Sequence, residues 1–310
     1  MEEKIVPVLD PRLLRNVFGA SDEHLRTIRK ELGLRITLDG DKILVRSEEL
    51  AAARRGANLL EELQRMASSL GELLTEEDVR RAISEVRLDR PVSQLRPTEV
   101  FGGKRISPRT AGQAEYVAAL RQKTIVFCTG PAGCGKTYLA VARAVEALRG
   151  GEIRKIVLVR PAVEAGESLG FLPGDLRDKI NPYLRPLFDA LSDMIPPETL
   201  SRYMQEDRIE VIPLAYMRGR TINGAAIILD EAQNTTTAQM KMFLTRMGEG
   251  SRIAVCGDAT QTDLPAHKKS GLLDAVTRLA RIDGIGQIDL TVDDIVRHDL
   301  VQKIVNAYEE

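Results

Sequence analysis

The sequence predicts an α/β fold with a mostly parallel sheet, preceded by a small α+β domain. The chain has 310 residues, more than one hydrophobic core usually organises. In its last two thirds, short β-rich runs alternate with helical runs, whereas the first part carries a hairpin pattern between helical stretches. We therefore expect an α+β domain over residues 1–85, a basic linker over 86–110 and an α/β domain over 111–310.

The amino-acid composition argues against several classes of protein. Lysine and arginine total 44 and aspartate and glutamate total 45, so no global basic field favours non-specific nucleic-acid binding. The cysteines at 128, 134 and 256 have neither metal-ligand spacing nor the density of a disulfide framework. No stretch resembles a signal peptide or an apolar span of about 20 residues. These features predict a cytoplasmic protein without a membrane partner.

The first domain has the element order of a known RNA-binding unit. An amphipathic helix, a glycine-containing turn, a second helix, a hairpin and a third helix are predicted over 13–18, 19–22, 23–31, 34–46 and 48–70. Ser21 or Asp22 is the expected N-cap of the second helix. This order resembles a KH domain, whose GXXG loop lets the backbone approach phosphates. Because Asp22 replaces the second glycine and would repel phosphate, RNA binding and a purely structural role both stay open.

The predicted linker is irregular and basic. Proline and glycine interrupt it, and its only acidic residues up to position 109 are Asp89 and Glu99. Its basic residues are Arg87, Arg90, Arg96, Lys104, Arg105 and Arg109. A solvated linker is one interpretation, and contact with a phosphate backbone is the other.

The α/β domain is predicted from six β-rich runs separated by helical segments. The runs are 124–129, 155–160, 209–213, 226–230, 252–257 and 287–290. Such alternation is typical of βαβ units around a parallel sheet.

The first of these strands leads into a phosphate-binding motif. The motif G-x-x-x-x-G-K-[ST] is matched in full, and a helical run over 138–148 follows it. Its glycines let successive backbone N–H groups point inward at a helix N-terminus, Lys136 reaches the β- and γ-phosphates, and Thr137 coordinates Mg²⁺. The residues predicted to bind the nucleotide are Gly130, Pro131, Ala132, Gly133, Cys134, Gly135, Lys136, Thr137 and Tyr138.

A second strand ends in two carboxylates. Asp230, at the end of the apolar run 226–230, is expected to bind Mg²⁺, largely through a water molecule. Glu231 is placed to orient and deprotonate the attacking water. Two acids at a helix N-terminus would be the structural alternative.

Two glutamines are further candidates. Gln261 follows the strand at 252–257 and is predicted to contact the γ-phosphate or the attacking water. Gln113 lies shortly before the phosphate-loop strand, where its carboxamide would read the adenine edge and favour ATP over GTP. An exposed helix glutamine is the alternative for Gln113.

Phosphoryl transfer also needs positive charge on the transition state. The arginine candidates are Arg160, Arg218, Arg220 and Arg297. Arg297, after the last predicted strand, is the first choice, acting within its own chain or across a subunit interface. A surface or salt-bridged arginine is the alternative.

Together these motifs resemble one family, the PhoH-like bacterial ATPases. The matching blocks are 130–139, 159–167, 169–175, 215–221, 228–236, 239–246, 257–258 with Gln261, and 294–298. A KH-like first domain is similar to that of the family's longer members. The resemblance implies a RecA-like core related to superfamily 1 helicases, a homo-oligomeric ring expected to be a hexamer, and a role in RNA metabolism. Cys134 departs from the family, which usually has threonine there.

The predicted function is therefore hydrolysis of ATP with Mg²⁺, coupled to RNA binding or remodelling, with RNA unwinding as one form. The resemblance adds an endoribonuclease of ribosomal RNA maturation as a candidate partner. A nucleotide-gated adaptor for RNA or a nuclease is the alternative; RNA would stimulate the turnover of a motor but not of an adaptor. A P-loop kinase is disfavoured because Glu231 is placed to activate water.

Overall fold

The computed structural model describes residues 2–70, 74–87, 97–161, 176–265 and 268–296. It divides the chain into two compact units, Met1–Arg96 and Pro97–Glu310. Arg297 lies outside the described residues, as do most of the two sequence blocks between 162 and 175.

The first unit contains the elements that the sequence predicts, with additions at both ends. Its strands are β1 (Glu2–Pro7), β2 (Arg35–Asp39) and β3 (Lys42–Ser47), and its helices are α1 (Leu14–Phe18), α2 (Glu23–Leu32), α3 (Leu50–Leu70) and α4 (Glu76–Arg87). Within its described part, the strands form an antiparallel sheet in the order β1-β3-β2. The sequence did not predict β1, whose charged start masks the strand pattern.

The glycine-containing turn before α2 has an unusual backbone. Gly19, Ser21 and Asp22 have φ values of 79°, 51° and 60°. Asp22 occupies the N-cap position, but its side chain makes no capping hydrogen bond, so the predicted cap is wrong. Its left-handed backbone differs from the extended conformation that a capping side chain needs. Glu23 instead accepts a hydrogen bond from the backbone N–H of Ala20.

The second unit is the predicted α/β domain. Its strands are β4 (Thr98–Glu99), β5 (Arg105–Ile106), β6 (Ile125–Thr129), β7 (Lys155–Arg160), β8 (Ile209–Pro213), β9 (Ala225–Leu229), β10 (Arg252–Gly257) and β11 (Ile285–Asp289). Its helices are α5 (Ala111–Gln122), α6 (Lys136–Arg149), α7 (Leu176–Met194), α8 (Pro197–Gln205), α9 (Thr237–Leu244) and α10 (Gly271–Leu279). As far as the chain is described, six strands form a parallel sheet in the order β11-β6-β10-β9-β7-β8. The predicted α/β class is confirmed, and every predicted strand lies within two residues of an observed one.

Residues 97–110, which the sequence assigned to the linker, are a folded part of this second unit. The short strands β4 and β5 pair with each other. Val100 is fully buried, and Arg149 of α6 donates a hydrogen bond to its carbonyl oxygen at 2.7 Å. The glycines at 102 and 103 both have positive φ, which allows the turn between the strands. The prediction of a linker extending to 110 is therefore wrong, because the apolar residues between the turn glycines and prolines are buried.

The parallel sheet is covered on both faces. One face packs against α5, α6 and α7, and the other against α9 and α10. Strands buried on both sides read as continuous apolar runs, which is why their positions were predictable. Since all these strands run in one direction, their carboxyl ends meet at one edge of the sheet. None of the described helices combines the length and apolarity needed to cross a bilayer.

Candidate nucleotide-binding site

A pocket of about 610 Å³ lies at the carboxyl ends of the strands. Several predicted site residues line it, namely Ala132, Gly133, Gly135, Lys136, Thr137, Tyr138, Asp230, Glu231 and Gln261. The structure thus brings together the two halves of the predicted site, which are about 100 residues apart in the sequence.

The phosphate-binding loop adopts a conformation that depends on its glycines. Gly130, Gly133 and Gly135 have φ values of 150°, 88° and 79°. A Cβ atom on Gly130 would lie 2.6 Å from the carbonyl oxygen of Leu290, which follows β11. Lys136 begins α6, and its Nζ donates hydrogen bonds to the carbonyl oxygens of Gly130 at 2.7 Å and Pro131 at 2.8 Å. The loop therefore encloses the lysine amine within its own backbone.

Cys134 supports the loop from inside. The side chain is buried, and its Sγ donates to the carbonyl oxygen of Pro131 at 2.9 Å. Phosphate contacts in such loops are made by backbone N–H groups, so a cysteine is compatible with binding at this position.

Gln113 braces the same loop. It is buried, so the exposed-glutamine alternative is wrong. Its Nε2 donates to the carbonyl oxygens of Cys134 at 3.2 Å and Asp294 at 3.3 Å, and its Oε1 accepts from the backbone N–H of Arg109 at 2.8 Å. Both amide hydrogens of the side chain already bind backbone oxygens, so a bidentate contact with adenine would require Gln113 to exchange these partners. Adenine recognition by Gln113 stays a prediction.

The candidate metal ligands contact each other directly. Thr137 Oγ1 donates a hydrogen bond to Asp230 Oδ1 at 2.5 Å. Asp230 is 8% exposed, and burial raises the pKa of its carboxyl group, while the Thr137 hydroxyl lowers it. A hydroxyl and a carboxylate are oxygen ligands of the kind that Mg²⁺ prefers. The described part of the chain has no group of three His, Cys, Asp or Glu residues able to hold a metal. As adjacent oxygen ligands, Thr137 and Asp230 fit a Mg²⁺ site that phosphate and water would complete.

Glu231 has a constrained backbone and two side-chain partners. Its φ of 50° is uncommon for a residue other than glycine, and such conformations cluster at functional sites. Its Oε1 accepts a hydrogen bond from Arg160 Nη2 at 3.2 Å, and its Oε2 accepts one from Gln233 Nε2 at 2.6 Å. Both carboxylate oxygens are thus held by neighbouring side chains.

Gln233 and Asp258 are site residues to which the sequence analysis gave no role. Gln233 Oε1 accepts a hydrogen bond from the backbone N–H of Asp258 at 3.0 Å. Asp258 is buried, lines the pocket, and its Oδ2 has no hydrogen-bond partner among the described residues. The position of Gln233, two residues after Glu231, was the available signal for its role.

Helix α7 forms a wall of the pocket that the sequence did not indicate. Its contribution comes from Pro186, Asp189, Ala190 and Asp193. The Tyr138 hydroxyl donates a hydrogen bond to Asp193, whose other oxygen pairs with Lys104 at 2.6 Å. These long-range contacts leave no local pattern in the sequence.

The arginine candidates occupy different places. Arg160 lines the pocket. Arg220 donates two hydrogen bonds to Glu210 at 2.8 and 2.9 Å, and Arg218 is exposed. Arg297, the first choice, lies outside the described residues, so its role stays a prediction.

Comparison with known proteins identifies the family. The family model described as PhoH-like protein matches residues 105–309, which include the phosphate-binding loop. A PhoH-like protein of Bacillus subtilis is 48% identical over 303 residues, covering 95% of this chain and 93% of that protein. Protein PhoH of Escherichia coli K12 is 44% identical over 205 residues, covering 66% of this chain and 58% of that protein. Among solved structures, the Hef helicase domain of Pyrococcus furiosus aligns with a TM-score of 0.37 and 15% identity, over 61% of this chain and 39% of that one. With the family model matched over more than half of its length, this chain belongs to the PhoH-like protein family.

Proposed function

We propose that this protein hydrolyses ATP with Mg²⁺ as its cofactor. The observation that carries the proposal is the contact between Thr137 and Asp230, which joins the phosphate-binding loop to the strand end that bears Glu231. The proposal is supported because one pocket contains a phosphate-loop motif, two candidate metal ligands and a carboxylate that could activate water.

Each residue has a distinct task in the proposed reaction. The loop N–H groups hold the phosphates, and the Lys136 amine exchanges its two backbone acceptors for β- and γ-phosphate oxygens. Thr137 and Asp230 would hold Mg²⁺, which would supply positive charge to offset that of the phosphates. Tyr138 flanks the phosphate site.

Glu231 is the proposed general base. Its carboxylate accepts a proton from a water molecule as the water oxygen bonds to the γ-phosphorus. The bond from that phosphorus to the bridging oxygen breaks, releasing ADP and inorganic phosphate. Gln261 is proposed to contact the γ-phosphate, Gln113 to favour adenine, and Arg297 to stabilise the developing charge.

We further propose that hydrolysis is coupled to RNA binding or remodelling, with RNA unwinding as one form. The helix, glycine-turn, helix, hairpin and helix order of the first unit, similar to that of a KH domain, supports an RNA partner. The described residues contain one α/β core, and because translocation needs a second lobe, this favours action as a homo-oligomeric ring. The family resemblance leads us to expect a hexamer. We also propose that the protein acts in the cytoplasm and that an endoribonuclease of ribosomal RNA maturation is its partner.

Steady-state ATP hydrolysis, with and without single-stranded RNA, tests the proposal. Glu231→Gln is expected to lower kcat at least about 100-fold, since a general base typically contributes that much. Glu198→Gln, at an exposed position in α8, is the matched control. The oligomeric state is measured in the same buffer.

The outcomes separate the candidate functions. RNA stimulation that is lost in Glu231→Gln supports an RNA-driven motor. Hydrolysis that is indifferent to RNA favours the nucleotide-gated adaptor. A parent protein without hydrolysis overturns the proposed activity.

A further inference from the structure

The strand order of the sheet brings Arg160 close to two acidic residues, Asp230 and Glu231. It is the last residue of β7, which pairs with β9 in parallel register. The backbone N–H of Asp230 donates to the carbonyl oxygen of Val159 at 2.9 Å, which aligns the two strand ends. Arg160 therefore lies beside Asp230 and Glu231, although about 70 residues separate them in sequence.

The guanidinium of Arg160 joins two elements of the pocket. Its Nη2 donates to Glu231 Oε1 at 3.2 Å, and its Nη1 donates to the carbonyl oxygen of Tyr183 in α7 at 2.8 Å. Its Nε lies 3.9 Å from Asp230 Oδ2. The side chain is 19% exposed, so solvent screens these contacts less than it would on the surface. A rigid guanidinium with five donors can serve both partners at once, which a lysine ammonium does less well.

The carboxylate of Glu231 needs such an anchor. Its side chain is 36% exposed and would otherwise sample several rotamers. Arg160 holds one oxygen and Gln233 holds the other, each at one lone-pair site. A carboxylate offers about four such sites, so both oxygens can still accept a proton from water.

The charge distribution also singles out Arg160. Lys136 and Arg160 are the basic residues among the described lining of the pocket. Lys136 Nζ is directed to the backbone oxygens of the phosphate loop, so Arg160 is the cation next to the acids.

We propose that Arg160 is a positioning residue for hydrolysis, which fixes the Glu231 carboxylate and ties it to α7. This inference rests on the proposed ATP hydrolysis. Nucleotide affinity, by contrast, depends on the loop and Lys136.

The test compares turnover with binding in the full-length protein. Arg160→Gln is expected to lower kcat about 10- to 100-fold, as misplaced catalytic groups do. The Kd for a non-hydrolysable ATP analogue with Mg²⁺ should stay within about threefold of the parent value. Arg160→Lys should restore part of kcat. Arg149→Gln, which also removes an arginine bound to a glutamate and to a backbone carbonyl oxygen but outside the pocket, should leave both quantities unchanged.

A double variant distinguishes positioning from general damage. If Arg160 acts through Glu231, then Arg160→Gln should lower kcat little further in a Glu231→Gln background. Multiplicative losses, or a Kd that rises in step with the loss of kcat, would overturn the inference. A kcat that survives Arg160→Gln would overturn the inference alone, whereas a parent protein without ATP hydrolysis would overturn the proposed function as well.

Discussion

Two glycine-containing turns, one in each unit, precede helices and differ in chemistry. In the first unit, Gly19 is followed by Ser21 and Asp22, which adopt positive φ without being glycine. In the second, the positive φ values of the phosphate loop occur at glycines, and Lys136 follows them. Lys136 and its hydrogen bonds to the loop backbone support the second turn, whereas the first turn carries the carboxylate of Asp22. The comparison teaches that a glycine-containing turn before a helix does not by itself identify a phosphate site, because the side chains that follow it can supply either sign of charge.

The prediction with the largest expected effect tests whether water is excluded from the buried cysteines Cys128 and Cys256, in the neighbouring strands β6 and β10. Burial raises the pKa of Cys256 from 9.0 to about 12 and also raises the pKa of Cys128. A rise of this size leaves about a thousandfold less thiolate near pH 8. We expect iodoacetamide to leave Cys256 unmodified in the native protein at pH 8 and to modify it after denaturation, as measured by mass spectrometry.

The same pKa predicts a pH dependence of stability. The folded second unit keeps a proton that the unfolded chain loses above about pH 9, so its free energy of unfolding should fall between about pH 9 and 12. The first unit has no cysteine and serves as the internal control. Rapid alkylation of Cys256 in the native protein at pH 8 would contradict the exclusion of water from this cysteine.

A second prediction adds a methyl group to each turn. In Gly130→Ala the new Cβ would lie 2.6 Å from a backbone oxygen, and strain of about 3 kcal/mol would weaken ATP binding about 100-fold. In Gly19→Ala the Cβ would meet the side chains of Glu23 and His24 at 2.8 Å, at a φ of 79°. That change should cost about 1–2 kcal/mol of stability and leave ATP affinity unchanged. Titration with a fluorescent ATP analogue and urea unfolding measure the two effects; equal ATP affinities in the two variants would count against the difference between the turns.

The smallest effect concerns the charge of the first turn. If the turn approaches an RNA phosphate, Asp22→Asn should raise the affinity for single-stranded RNA about threefold, because it removes a repulsive charge. Asparagine also tolerates the left-handed backbone at this position. Asp41→Asn, in the exposed hairpin turn, is the charge-matched control. Fluorescence anisotropy at fixed salt measures both, and no difference between the variants would mean that the turn does not contact RNA.

The sequence predicted all six strands of the parallel sheet in the second unit, but it missed three strands outside that sheet. Runs such as 155–160 and 252–257 were located correctly because strands buried on both faces are continuously apolar. Strand β1 was missed because its first residues are charged, and β4 and β5 because glycine and proline surround them. Their positions depend on packing partners that local patterns do not encode.

The site was predictable where its residues are contiguous. The phosphate loop and the pair Asp230 and Glu231 follow from local motifs, and the structure places them in one pocket. The bracing role of Gln113 and the contact of Arg160 with Glu231 depend on strand order and loop packing, which the sequence does not specify. Local spacing thus identified candidate residues, whereas the fold determined their partners.

The position of β11 has a consequence for the order in which the chain folds. β11 pairs with β6, and Leu290, just after it, packs against Gly130. The hydrogen bond between Thr129 and Asp289 spans 160 residues. During synthesis on the ribosome, the strand that leads into the phosphate loop lacks its outer neighbour until residue 290 has emerged. Such long-range pairing is slow to form, so we expect a nascent chain to complete the phosphate-binding loop only after residue 290 has been synthesised, well after the first unit.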